Sequence, residues 1–153
     1  MRSDVADYYF EVQRFDSDVD RALKKLEKMK LLENTIIVMT GDHGMPFPRC
    51  KANLYDSGAR VPMAVRWPKT IKPGRVVTDF VSTTDLGPTF LEAAGVKIPA
   101  AMTGKSWMNI FKSPDSGRIE PTRDYVLTGK ERHVPCQEKG IPGGTPMLSL
   151  IHI

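Results

Sequence analysis

The chain has 153 residues, 41% of them hydrophobic and 26% charged, the make-up of one ordinary globular domain and not of a disordered or fibrous segment. Lys and Arg (22) outnumber Asp and Glu (18), and the net charge of +4 suits anionic small molecules or polysaccharides as readily as nucleic acid. No run approaches the roughly 18 apolar residues that a membrane-spanning helix needs.

The N-terminus, Met1 to Asp4, has no apolar h-region and no small-residue cleavage site, so nothing here reads as a signal peptide. From Asp4 to Leu32, apolar residues including Val5, Tyr8, Val12, Phe15, Val19, Leu23 and Leu26 recur at three- and four-residue spacing. This predicts one long amphipathic helix packed on a sheet or a neighbouring helix. Lys24, Lys25, Lys28 and Lys30 fall in its last turns, where the helix dipole favours cations, and read as a solvated face. Thr35 to Thr40 is a short β-branched and apolar run of the kind buried in a parallel sheet, so helix followed by strand gives an α/β signature. Gly41-Asp42-His43-Gly44 closes that strand at its carboxyl end, where open α/β sheets place their ligands. A second extended run, Val61 to Trp67, follows a turn at Asp56-Ser57-Gly58. Val76 to Ser82 reads as a further edge strand. It leads to Thr83-Thr84-Asp85, whose hydroxyls can cap a helix from Leu86 to Ala94, with Pro88 in its first turn and Gly95 as its stop. Ser106 to Phe111 reads as a short helical turn, Tyr125 to Thr128 as a strand, and residues 129–146 as an extended Pro- and Gly-rich loop.

Asp42 and His43 stand between two glycines that let the backbone turn sharply. A carboxylate beside an imidazole is a workable pair of metal ligands, since hard cations take carboxylate oxygen and borderline ones take imidazole nitrogen. The alternative is a turn in which Asp42 accepts backbone N–H bonds and His43 is merely oriented. Lys51 lies nine residues beyond Asp42, across the loop Met45-Pro46-Phe47-Pro48-Arg49-Cys50. Two prolines stiffen that loop and can hold a cation facing the Asp-His tip, where it would neutralise a sulfate or phosphate oxygen. Arg49 and Arg60 compete for this role, and Arg60 reads as structural, in a buried ion pair with Asp56. Lys130-Glu131-Arg132-His133 is a charged cluster directly after a strand, either a substrate contact or a polar loop. Cys50 and Cys136 lack C-x-x-C spacing, which argues against a thiol redox motif or a Cys-based zinc site and leaves a disulfide between them open. A Gly-rich phosphate loop, G-x-S-x-G and H-E-x-x-H are all absent, and basic residues are not interleaved with aromatics. Nucleoside triphosphate, serine-hydrolase, zincin and nucleic-acid readings therefore have no support.

Two stretches, Thr40 to Pro48 and Lys51 to Pro62, resemble the C-terminal half of type I sulfatases, more narrowly the heparan N-sulfatase branch. Val65-Arg66-Trp67-Pro68 and Val81 to Thr89 extend the likeness, which covers most of residues 4–147. The resemblance implies an alkaline-phosphatase-like α/β sandwich with a mostly parallel sheet, here truncated. It also implies that Asp42 and His43 are ligands of one active-site calcium, that Lys51 contacts the sulfate group, and that His133 is a substrate contact. The partner would be a sulfated saccharide. The compartment would be periplasmic or secreted, lysosomal in an animal, and the lack of an Asn-x-Ser/Thr acceptor favours the periplasm.

One departure matters. Sulfatases attack with a formylglycine made in a Cys/Ser-x-Pro/Ser-x-Arg motif and take further calcium ligands from an N-terminal Asp pair, and neither occurs in this sequence. The expectation is therefore an excerpt of a larger enzyme, inactive alone. Residues 1–99 form the C-terminal part of the catalytic domain and residues 100–147 the start of the C-terminal region. Residues 148–153 are an apolar tail without a pairing partner, for which a cloning or sequence-assembly join is one reading. Two other functions stay open: a metal-dependent phosphatase or phosphodiesterase of the same superfamily, and a noncatalytic module that binds sulfated glycans through Lys51, Arg49 and the Lys130 cluster.

Overall fold

The computed structural model describes residues 2–51, 53–130 and 147–152. The apolar recurrence near the N-terminus forms α1, Arg2–Lys28, with Asp4 in its first turn and Lys25 and Lys28 in its last, as the helix dipole favours. On its solvent side Lys24 donates to Asp20 at 2.7 Å, which holds the Lys24 ammonium above its ordinary pKa. The helix stops in a Schellman turn. Lys30 takes a left-handed φ of 58°, its N–H donates to Glu27 O at 2.8 Å, and the Leu31 N–H reaches Leu26 O at 2.9 Å. A Cβ at that φ is disfavoured by about 1–2 kcal/mol. Lys30→Gly is accordingly expected to raise stability by up to about 1 kcal/mol, read as a higher urea midpoint at unchanged slope.

The stripe along α1 does not pack as its periodicity predicts. Tyr8 meets Phe47 edge-on, ring centroids 5.6 Å apart, while Tyr9, Phe10, Val12 and Phe15 stay exposed. The strands that follow turn their apolar side chains elsewhere, with Met63 and Val65 packed on a cluster around Trp107.

The run after Asn34 forms β1, Ile37–Thr40, which pairs with β2, Met63–Arg66, Ile37 opposite Arg66 and Thr40 opposite Met63. The pairing is antiparallel. A mostly parallel sheet is thus not what the described strands build among themselves, although the α/β class stands. Residues 41–62 contain one short helix, α2, Asp56–Ala59, and no long crossover helix of the kind a parallel neighbour usually requires. They turn back instead, with the Gly44 N–H donating to Gly58 O at 3.1 Å, so that β2 begins beside the end of β1.

Val76 to Ser82 is irregular rather than a strand, apart from one parallel bridge between Val77 and Gly117. Arg75 fastens this stretch to the later helix Met108–Lys112 and the turn after it instead of to a ladder, donating to Ile110 O at 3.0 Å and Asp115 O at 2.6 Å. The helix that follows is capped by Ser82 and not by the threonines. Ser82 Oγ accepts from the Thr84 N–H at 3.3 Å, and Asp85 Oδ2 accepts from the Ser82 N–H at 3.1 Å, a capping box that opens a 3-10 turn, Thr83–Asp85, running directly into α3, Leu86–Ala93. Gly95, at φ 70°, ends it as its position predicts. The expected helical turn is α4, Met108–Lys112. With Trp107 it supplies the core: Trp107, Met108, Ile110 and Phe111 are buried, and Phe111 lies edge-on to both Trp107 and Trp67, at 6.1 and 6.5 Å.

The strand expected at Tyr125 extends to Lys130 as β3, Tyr125–Lys130, and pairs antiparallel with β4, Met147–His152. The tail expected to lack a pairing partner therefore has one. An apolar stretch with strand propensity meets an open edge, and the ladder follows. His133 and Cys136, with the rest of residues 131–146, lie outside the described residues.

Candidate functional site

β1 delivers Asp42 and His43 to its carboxyl end, just past Gly41. The Asp42 side chain is 87% exposed and that of His43 42%, and His43 Nε2 lies 3.5 Å from Asp42 Oδ2. On the other side of the ring, His43 Nδ1 lies 2.9 Å from Gly44 O. With Nδ1–H donated to that carbonyl, Nε2 keeps its lone pair beside the carboxylate, the arrangement in which a backbone partner orients an imidazole ligand. The pair fits part of a divalent-cation site, one hard oxygen donor and one borderline nitrogen donor on the same point. It does not complete one, since among the described residues no group of three or more His, Cys, Asp and Glu is placed to hold a metal.

Beyond the pair the chain folds into a tight loop. Gly44 and Gly58 are both buried. A Cβ on Gly44 would collide with Ser57 O, and one on Gly58 with the carbonyl oxygens of Cys50 and Asn53. Only glycine permits these backbones to approach so closely. The Cys50 N–H donates to Phe47 O at 3.1 Å and the Lys51 N–H to Met45 O at 2.9 Å, which returns the backbone at Lys51 to the segment leaving Gly44. Ser57 Oγ donates to Arg49 O at 2.9 Å. Arg49 is held there at a left-handed φ of 66°, with its guanidinium 5.9 Å from the Tyr55 ring centroid. Cys50 is a buried free thiol.

Asp42 and His43 are thus brought together, and Lys51 returns to the same loop as an exposed side chain with no ion pair among the described residues. Arg60 differs from expectation. It does reach Asp56, but at 4.0 Å with the two side chains 75% and 68% exposed. The one-turn helix α2 lies at the surface, where such a pair contributes little.

The sequence reading missed a buried ionic cluster. Asp85 and Arg123 are 6% and 4% exposed. The Asp85 carboxylate accepts from the Ser82 N–H at 3.1 Å, the Lys105 N–H at 2.8 Å, Trp107 Nε1–H at 3.0 Å and Arg123 Nη1 at 3.0 Å. Arg123 also donates to Lys105 O at 2.9 Å and Ser106 O at 2.7 Å, and pairs with Glu120. With its donors and acceptors matched in this way, the cluster organises the fold rather than reacting. The Ser-x-x-Asp spacing of Ser82 and Asp85 signals the cap, whereas nothing local marks Arg123 as the partner.

The family model described as N-sulphoglucosamine sulphohydrolase, C-terminal, matches residues 41–127, a span that opens on Gly41-Asp42-His43 and takes in Lys51, Asp85 and Arg123. The chain belongs to the sulfatase family. It is 34% identical over 124 residues to an ulvan-active sulfatase of Formosa agariphila, covering 81% of this chain and 21% of that protein. It is 38% identical over 111 residues to N-acetylglucosamine-6-O-sulfatase of Bacteroides thetaiotaomicron, covering 70% of this chain and 20% of that protein. To human N-sulphoglucosamine sulphohydrolase it is 36% identical over 153 residues, covering 86% of this chain and 30% of that protein. The likeness does not single out the heparan N-sulfatase branch. Among solved structures, a protein in complex with its substrate D-glucosamine-2-N,6-O-disulfate superposes with a TM-score of 0.73 at 30% identity, covering 81% of this chain and 26% of that one. The fold is accordingly the alkaline-phosphatase-like α/β fold of sulfatases. Against these three curated relatives the chain spans between a fifth and a third of their length.

Proposed function

We propose that this chain supplies part of the active site of a sulfatase acting on a sulfated glycan, through sulfate esters or sulfamates. Asp42 and His43 would be ligands of calcium, and Lys51 would contact the sulfuryl oxygens. The observation that carries the reading is the Asp42–His43 pair, converging at the carboxyl end of β1 at the start of the family match. Bound calcium would neutralise charge on the sulfuryl group. The chain's own contributions are to orient His43 through Gly44 O, to keep the Asp42 carboxylate open to a cation, and to present on the following loop an ammonium without an ion pair among the described residues.

The remaining ligands and the formylglycine would come from sequence that this chain does not contain. The 153 residues hold no Cys/Ser-x-Pro/Ser-x-Arg motif, and the isolated chain should therefore not turn over. The relatives' names include both 6-O- and N-sulfo chemistry on amino sugars, which supports a sulfated saccharide as substrate; an exported or lysosomal setting is what the resemblance to sulfatases implies.

The test is sulfate release from D-glucosamine-2-N,6-O-disulfate and heparin-derived saccharides by the complete sulfatase carrying this chain. Release should require calcium, cease on chelation and be lost in Asp42→Ala. Hydrolysis of phosphate esters without sulfate release would move the assignment to a phosphatase. Glycan binding without turnover would leave a noncatalytic module.

A further inference from the structure

We infer that Gly58, locked against Gly44 and stapled by Ser57, is a positioning residue that sets Lys51 relative to the Asp42–His43 pair. The inference rests on the function proposed above and names the device by which this chain builds that site.

Gly58 is a poor choice for its local structure. It lies inside the four-residue helix α2, where glycine costs roughly 1 kcal/mol relative to alanine. Tertiary contact explains it. The two carbonyl oxygens that a Cβ would strike belong to Cys50 and Asn53, on either side of Lys51. Gly44 makes the reciprocal approach, its absent Cβ occupying the place of Ser57 O, and its N–H closes the crossing on Gly58 O at 3.1 Å. Three passes of backbone therefore touch without side chains between them. One leaves His43, one flanks Lys51, and one is α2.

Carbonyl oxygens in such a crossing cannot rotate away as a side-chain tip can. A methyl group at Gly58 must push the Lys51 segment, the Gly44 segment or both, and Gly44 O is the group that orients the His43 ring. The Ser57 hydroxyl adds a second hold on the same pass, through Arg49 O. Arg49 keeps a backbone conformation that is strained for any residue but glycine, as happens where the surroundings over-determine it. No member of the buried Trp107 cluster or of the partly buried residues around it comes from residues 41–60. Displacement should thus stay local.

The experiment compares Gly58→Ala, Ser57→Ala, Ser57→Thr and Lys51→Ala in the complete sulfatase carrying this chain, with kcat, KM and thermal midpoint measured for each. Gly58→Ala is expected to lower kcat roughly 10- to 100-fold, as misplacement of a contacting group by about 1 Å can, and to raise KM, with a lowered thermal midpoint beside it because the clash is with backbone carbonyl oxygens. A fold defect would only reduce the active fraction and leave KM as it was. Ser57→Ala should show the same paired change at smaller size, and Ser57→Thr, which keeps the hydroxyl, should restore both constants. If Gly58→Ala does not fold, the Ser57 pair decides. Wild-type kinetics in Gly58→Ala and Ser57→Ala beside an inactive Lys51→Ala would overturn the inference and leave the site reading intact, whereas a fully active Lys51→Ala would overturn the inference together with the Lys51 contact it rests on, and leave the Asp42–His43 reading to its own test.

Discussion

Asp85→Ala is expected to cost about 3–5 kcal/mol of folding stability, the range for breaking a buried ion pair by removing one partner. The carboxylate accepts four hydrogen bonds, two of them from backbone N–H groups and one from the Trp107 indole. Its loss leaves those donors without acceptors, removes the capping box before α3, and strips Arg123 of a partner. Arg123→Ala should cost less, because three N–H donors still compensate the buried Asp85 carboxylate. Equilibrium urea unfolding of the two single variants and the double variant closes a thermodynamic cycle, in which a coupling of about 0.5–3 kcal/mol is expected for residues in one network. A loss below about 1 kcal/mol for Asp85→Ala would show that the buried pair is not what holds the Lys105–Trp107 segment to α3.

Lys51→Ala is expected to lower kcat by about 10²–10³-fold in the complete sulfatase, the effect of removing one donor aimed at developing charge. Lys51 has no ion pair among the described residues, so its ammonium gives up no partner on binding an anion. Calcium affinity separates this from damage to the cation site. Lys51→Ala should leave calcium binding unchanged by titration calorimetry, whereas Asp42→Ala should weaken it. Lys51→Arg keeps the charge but spreads it over a planar fork, and should recover part of the rate at most. A loss of less than tenfold in Lys51→Ala would remove Lys51 from contact with the sulfuryl group.

How far the fold was legible follows from which interactions are local. The start and stop of α3 were read closely, because Pro88 and Gly95 act within one turn of the helix ends they mark, although the cap expected of the threonines belongs to Ser82. The Asp42–His43 pair was legible for the same reason, as neighbours at a strand end. The direction of the β1–β2 pairing was not, since side-chain alternation is the same for parallel and antiparallel ladders and only the path of residues 41–62 decides between them. The covering of α1 was not legible either. A 3.6-residue period identifies an apolar face and is silent on its occupant. Arg123 escaped because its partner lies 38 residues away. Gly58 escaped because a close approach of backbones leaves no pattern in the residues around it. The pairing of the tail with β3 was not legible either, since strand pairing requires only an edge of matching length and leaves no turn signal in the tail itself.

The packed cluster comes from Met63 onward and the site loop from residues 41–60, and this separation has a bearing on how the molecule tolerates change. Substitutions in the two regions share no partners in that cluster, and free-energy effects at such separate places tend to sum. Rigidity bought in the Trp107 region would then not be charged against turnover. Under the proposed function, variation that retunes the loop for a different sulfated substrate would likewise accumulate without eroding the scaffold that carries it.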